Sequence, residues 1–362
     1  MASESCKTGW NLDHWPFTHH PTRPKMKDIL NQLIEHKTLS QEQAREVLKN
    51  LATGSYNTSQ IASFMTVYLM RSITVEELRG FREAMLELCI PVEIDEYDAM
   101  DLCGTGGDGK DTFNISTLSS FIVAGAGQHV AKHGNTGVSS ICGSSNLLAY
   151  FGYEFSNDIS EIRRSLDEAG LCFLHAPLFH PAMKNVAPIR KELGVKTFFN
   201  MLGPMVNPSF PRKQLVGVFS LELARLYGYL YQEMDGRFSI LHAIDGYDEI
   251  SLTGPFKMIS NQGEKLLNPE NLGLSRLSPE SIEGGNTVQE SAKIFEKVLK
   301  GEGTDSQNSV VIANAAAALV TAREGLSFPD AVGLAEEVLL SGKALRVFNG
   351  LVNPKTSVSF NN

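Results

Sequence analysis

One stretch limits what this chain can fold into more than any other: Asp101-Leu102-Cys103-Gly104-Thr105-Gly106-Gly107-Asp108-Gly109. The segment from Tyr97 to Cys103 reads as a short strand, and Asn114-Ile115-Ser116-Thr117 opens an apolar, Ala-rich run to Gly127 that reads as a helix. A glycine-rich turn between a strand and a helix N-terminus is either a plain tight turn or an anion site. Without Cβ atoms, backbone N–H groups can close around phosphate oxygens, and the helix end adds unpaired donors and a positive dipole. The loop lacks the Gly-Lys-Ser/Thr ending of a Walker P-loop, and its glycines cluster where a dinucleotide fingerprint would space them. Asp108 would repel a phosphate unless a sugar hydroxyl or a divalent cation lay between them.

The pattern around this loop implies two units. From Lys25 to about Cys89 apolar residues recur at helical spacing: Leu30, Leu33 and Ile34, then Ile61, Phe64, Met65 and Tyr68 after Thr58. Ser40 to Gln43 and Thr74 to Glu77 fit capping boxes, and Pro91 stops the run, giving a bundle of about four helices. From Tyr97 strand-like runs (97–103, 128–133, 171–175, 215–220, 238–244) alternate with helical ones (116–127, 143–151, 159–169, 221–233). Such alternation predicts a mostly parallel sheet flanked by helices. His180 to Leu193 reads as a helix inside a long excursion between two strands, a candidate return to the helical unit. Residues 250–268 read as a strand and hairpin, and 287–300, 306–324 and 328–343 as helices. The expected fold is α/β with a separate all-α domain: helical 25–93 plus 178–205, α/β 94–177 plus 206–350, an arm over 1–24 and a tail over 351–362.

With 362 residues the chain can bury two cores. A net charge of −9 argues against a general nucleic-acid binder. Cys6, Cys89, Cys103, Cys142 and Cys172 show no metal-ligand spacing and read as reduced thiols. No signal segment or membrane-length apolar run is present, so the expectation is a cytoplasmic protein that engages no membrane.

Several clusters could carry chemistry. Lys132-His133-Gly134-Asn135 follows a strand, where ligands gather in a parallel sheet. Lys132 offers a point charge to phosphate. His133 reads as an acid, a base or a structural ring. Ser144, at another loop–helix junction, suits a second phosphate. Asp248-Glu249 follows a further strand, and Mg²⁺ commonly takes one or two carboxylates plus substrate oxygens. Arg190 could clamp a carboxylate or could form a surface salt bridge.

In this order, Gly104 to Asp108, Asn114 to Thr117, Lys132 to Asn135, His180-Pro181-Ala182-Met183-Lys184-Asn185-Val186-Ala187-Pro188-Ile189-Arg190, Asn200 to Pro204 with Asn207-Pro208, and Asp248-Glu249 resemble the anthranilate phosphoribosyltransferases over roughly residues 25–350. The resemblance implies the type III phosphoribosyltransferase fold, an active site at the hinge between the domains, and a homodimer. It implies that Gly104, Thr105, Gly106, Gly107, Asp108, Asn114, Ser116, Thr117, Lys132 and Ser144 bind phosphoribosyl pyrophosphate. It places Gly104, Asn135, His180, Arg190, Gly203 and Pro204 on the path of anthranilate, and two Mg²⁺ ions on Ser116, Asp248 and Glu249. The transfer rests on positioning and electrostatics, with no catalytic acid or base assigned.

The chain departs from the family pattern at three places: Thr136 where an Arg is usual, Ile141-Cys142-Gly143-Ser144-Ser145-Asn146 where a Lys and an Asp are usual, and His175 where an apolar or aromatic residue is usual. The rival readings are transfer to another aromatic acid, a pyrimidine nucleoside phosphorylase, which Gly134-Asn135 disfavours, and a non-catalytic nucleic-acid-binding relative. An arylamine is already nucleophilic, so no strong protein base is needed. If 181–190 were a straight helix, His180 and Arg190 would lie on different faces, so the reading requires a break, expected at Pro188.

Overall fold

The computed structural model describes residues 25–137 and 142–353. The arm over 1–24, with His14, His19, His20, Trp10 and Trp15, and most of the tail lie outside them, as do Cys6 and Ile141.

The N-terminal unit has four helices, α1 (Met26–Ile34), α2 (Gln41–Ala52), α3 (Thr58–Met70) and α4 (Val75–Glu87). Both expected capping boxes are present, Ser40 with Gln43 and Thr74 with Glu77. A third starts α3, where Asn57 is the N-cap and Thr58 the first helical residue. Glu77 also serves the tertiary fold. Its buried carboxylate pairs with Arg71 at 2.5 Å and accepts from Leu39 N at 2.9 Å and Tyr68 Oη at 3.1 Å. A buried charge is tolerable when every lone pair finds a donor in this way. Around it Phe64, Tyr68, Phe81 and Phe198 pack edge to face and stacked, with centroids 4.6 to 6.0 Å apart.

Next come β1 (Met100–Gly104), α5 (Ile115–Gly125), β2 (Val130–Gly134), α6 (Ser144–Tyr150), α7 (Ile159–Ala169) and β3 (Leu171–His175). The excursion holds α8 (Ala176–Phe179), a 3₁₀ turn Pro181–Asn185, α9 (Ala187–Leu193), α10 (Phe199–Leu202) and a second 3₁₀ turn Gly203–Met205. The chain then re-enters the sheet with β4 (Lys213–Gly217), α11 (Leu221–Tyr231), β5 (Arg237–Ala243), β6 (Phe256–Ser260) and β7 (Gly263–Leu267). It ends in α12 (Val288–Leu299), α13 (Asp305–Ala322), α14 (Phe328–Leu340) and α15 (Lys343–Val352).

The sheet runs β3-β2-β1-β4-β5-β6-β7, parallel from β3 to β5 and antiparallel across β6 and β7. Connections leave β1 toward β2 and arrive at β4 from the opposite direction. The crevice at the C-terminal ends of β1 and β4 is therefore a topological switch point, where ligands collect. One face of the sheet carries α5 and α13 over a core that includes Ile122, Val311 and Ala315. The other face, through α11, shares a continuous core with the helical unit that includes Phe81, Phe198, Val216 and Tyr227.

One sequence expectation is corrected. His180 to Leu193 is not one helix: it breaks at Val186, two residues before Pro188. Proline has no N–H for the preceding turn and its ring opposes helix at residue i−4, so it sits in the first turn of α9 and the break falls ahead of it. Phe64 and Tyr68 are core residues, 0% and 7% exposed. No helix among the described residues is long and apolar enough to cross a membrane.

Candidate active site

A cleft of about 820 Å³ opens at the switch point, walled by the glycine loop, the ends of β1, β2, β4 and β5, and the excursion. All seventeen residues given a role from the sequence line it: Gly104 to Asp108, Asn114, Ser116, Thr117, Lys132, Asn135, Ser144, His180, Arg190, Gly203, Pro204, Asp248 and Glu249.

The floor is set by close backbone packing. Asp248 accepts from Gly106 N at 2.7 Å. A Cβ on Gly104 would lie 2.4 Å from Asp248 Oδ2, and one on Gly217 only 1.4 Å from Asp248 O. The two glycines let the β5–β6 connection lie against the ends of β1 and β4. Gly106 (φ 62°), Gly107 (75°) and Gly109 (75°) shape the left-handed turns of the loop.

Glu249 accepts from Thr112 Oγ1 at 2.8 Å. Burial, with Asp108 close by, pushes the Asp248 carboxyl up, and burial with Asp248 beside it pushes Glu249 up. Three acids crowded in this way are a site short of positive charge. No group of three His, Cys, Asp or Glu among the described residues could hold a metal without help. Two carboxylates completed by substrate oxygens is the donor set that Mg²⁺ favours, so the residues fit that ion. Ser116 Oγ lies 3.4 Å from Lys132 Nζ. Lys132 itself is buried, donates to Leu102 O and sits near buried Asp101; desolvation lowers its pKa. Its charge lies beneath the loop.

On the opposite wall His133 and His180 face each other, ring centroids 5.4 Å apart. His133 Nδ1 bonds Gly203 O at 3.2 Å, and His180 Nε2 bonds Val206 O at 2.9 Å. Those carbonyls require N–H donors, so His133 Nε2 and His180 Nδ1 carry the lone pairs. Both of these atoms are buried without a partner, as are Thr105 Oγ1 and Thr117 Oγ1 of the same cleft. Burial pushes the His133 pKa down to about 3 and that of His180 to about 4, so both rings are neutral at physiological pH. The break at Val186 turns Arg190 into the same cleft. Its guanidinium donates to Asn200 Oδ1 at 3.2 Å and lies 5.3 Å from the centre of the Phe199 ring. Among the described residues it has no carboxylate partner, and desolvation lowers its pKa. The surface salt bridge considered for it is not formed.

The departures have local partners. Asn146 Oδ1 accepts from Gly137 N at 2.9 Å and Gly143 N at 3.1 Å, so the amide ties the loop as a carboxylate oxygen could. His175 bonds Ser145 Oγ at 2.9 Å and stacks on Phe155. Thr136 N donates to Asn135 Oδ1 at 2.7 Å, folding that side chain back on its own loop. Asn114 Nδ2 donates to Cys142 O at 2.9 Å, joining the start of α5 to the start of α6.

Sequence reasoning missed several supports. Buried Asp101 accepts from His133 N at 3.1 Å and Gln214 Nε2 at 3.1 Å, and Gln214 also donates to Pro204 O at 2.6 Å. Lys196 Nζ donates to Gly107 O, tying the excursion to the glycine loop. Nothing in local sequence pairs residues about 90 positions apart.

A bundle of helices, a mostly parallel sheet and a glycine-loop cleft between them define a class. Models of the glycosyl transferase family match residues 27–89 as its helical bundle domain and 96–345 as its α/β domain, and the chain belongs to that family. Its similar relatives are anthranilate phosphoribosyltransferases. That of Flavobacterium psychrophilum is 62% identical over 326 residues, 90% of this chain and 98% of the relative. That of Bacteroides thetaiotaomicron is 50% identical over 88% of this chain and 96% of its own length. The Thermus thermophilus crystal structure superposes with a TM-score of 0.83 at 34% identity, covering 90% of this chain and 98% of that one. The Saccharomyces cerevisiae enzyme in complex with phosphoribosyl pyrophosphate and Mg superposes at 0.84 with 26% identity, covering 92% and 98%.

Proposed function

We infer that this chain is an enzyme that transfers the 5-phosphoribosyl group from its pyrophosphate to the amino group of anthranilate, releasing pyrophosphate, in tryptophan biosynthesis. The observation that carries the acceptor side is Arg190: a guanidinium in the cleft wall, over an aromatic ring, with no carboxylate among the described residues to neutralise it. A benzoate-type acceptor supplies that carboxylate.

The remaining assignments follow from the same geometry. Gly104 to Asp108, Asn114, Ser116, Thr117, Lys132 and Ser144 are proposed to hold the donor, and Asp248 and Glu249, with Ser116, to hold Mg²⁺, two ions in number. Mg²⁺ bound there would neutralise charge on the pyrophosphate. The loop N–H groups and the start of α5 bind the leaving oxygens as the C1–O bond breaks. Buried Lys132 adds positive potential under the loop.

On the other wall, Arg190 orients the acceptor so that its amine faces C1. His133 and His180 flank the acceptor as neutral rings. Rings with pKa values about 3 and 4 are too weakly basic to act as general bases at neutral pH, so the amine's proton leaves to solvent or pyrophosphate after the C–N bond has formed.

We read residues 25–93 with 178–205 as the helical domain and 94–177 with 206–350 as the α/β domain, meeting at the cleft. Cytoplasmic location and a homodimer belong to the same reading. The test is pyrophosphate release from the donor with anthranilate, with benzoate and with none. Release only with anthranilate is expected; equal release in all three ends the acceptor assignment.

A further inference from the structure

Behind the cleft lies a second cavity of about 300 Å³. Its walls come from both domains: Arg82 and Leu86 of α4, Pro204, Met205, Phe210 and Arg212 of the returning chain, Gln214 of β4, Tyr231 at the end of α11 and Met234 just after it. Pro204 lines both cavities, one on each side.

Arg82 is the unexplained group. It is half-buried, and desolvation lowers its pKa. Among the described residues its only hydrogen bond runs from Nε to Met205 O at 3.2 Å, and it forms no ion pair. Its sequence neighbour Glu83 accepts from Gln41. The two terminal nitrogens of Arg82 take no acceptor among the described residues, and the side chain lines the cavity. Arg212, also without an ion pair among the described residues, lines the same cavity, and both it and Asp235 stand at its exposed rim. Two guanidinium groups against one carboxylate leave one net positive charge, which suits a monoanion better than a phosphate dianion. Leu86, Met205, Phe210 and Met234 supply apolar walls, and the volume is at the small end of ligand sites.

We propose that this cavity is a second ligand site, for a small organic monocarboxylate with an apolar body, held by Arg82 and Arg212. Its ligand would rest on the rear of Pro204 and touch both domains at once. Occupancy would therefore bias the wall against which the acceptor lies.

The test uses 4-bromobenzoate on the full chain, because the bromine locates each bound copy by anomalous scattering and a carboxylate bound at Arg190 is told apart by position. Crystals should show a bromine beside Arg82, and calorimetry a second site per chain. Arg82→Gln should weaken that second site roughly 10- to 150-fold, as expected for a lost charged hydrogen-bond partner. Met234→Trp, which fills the cavity and leaves both arginines in place, should abolish it even if Arg82→Gln fails to fold. Binding beside Arg190 should persist in both. One site per chain in the wild type, with no bromine beside Arg82, overturns the proposal; so does a second site that survives both substitutions.

Discussion

Arg190 separates a recognition role from a structural one at the scale of a single residue. Losing a charged hydrogen-bond partner costs about 1.5–3 kcal/mol, or roughly 10- to 150-fold. Arg190→Ala should lower kcat/KM for anthranilate by about that factor, leave the donor KM nearly unchanged, and affect aniline, which has no carboxylate, far less. Equal losses with both acceptors would make Arg190 structural. The two cleft histidines predict a pH effect on stability. Their ordinary value is 6.5, and burial holds them at about 3 and about 4 in the folded protein. Between about pH 6.5 and 4 the unfolded chain binds protons that the folded one refuses, so stability falls as pH drops through that window and is fully present above it. Buried Asp101, whose carboxyl is pushed up, works in the opposite sense. Denaturant midpoints measured against pH should therefore slope less in the double variant His133→Asn, His180→Asn. An unchanged slope would mean that the rings are already solvated.

At the scale of elements, much was legible because local chemistry decided it. The capping boxes at Ser40 and Thr74, the strand Leu171–His175 and the helix Ile159–Ala169 stand where the sequence reading put them. The strand expected from Tyr97 starts only at Met100, because Asp95–Tyr97 makes a 3₁₀ turn and Asp98 adopts φ 46°. Such a detour leaves no periodic trace. What escaped were the contacts between elements: Asp101 with Gln214, Lys196 with Gly107, and the backbone of Asp248 against Gly217. These depend on the switch point that brings β1 beside β4, and no window of sequence contains both partners. Gly217 makes the point testable. Gly217→Ala would place a methyl 1.4 Å from Asp248 O, so the connection carrying Asp248 and Glu249 must move. Loss of turnover is expected with the helical unit still folded, together with a higher Mg²⁺ requirement. A variant with wild-type activity and metal response would show that this packing is not needed to place the two acids.

At the scale of the whole molecule, the helical unit leaves apolar surface uncovered. Phe64 and Tyr68 are spent in its core, yet Ile34 is 68% exposed at the end of α1 and Met70 84% exposed at the end of α3. These two helices pack against each other, and Leu69 and Val195, 45% and 52% exposed, add to the apolar residues on the helical unit and the loop after α9. Scattered exposed leucines need no explanation, but clustered ones on packed helices mark an interface. A homodimer through α1 and α3 would bury them while leaving the cleft, on the far side of α9 and α10, free to exchange substrates. Burying a large apolar side chain is worth about 1.5–3 kcal/mol, and a two-fold interface uses each residue twice. Met70→Glu places two carboxylates in such an interface and should shift sedimentation from dimer to monomer at micromolar concentration, with the thermal transition losing its dependence on protein concentration. Ile34→Glu should act in the same direction. A wild-type protein that sediments as a monomer at high micromolar concentration would end this reading, and two variants that remain dimers would move the interface elsewhere on the molecule.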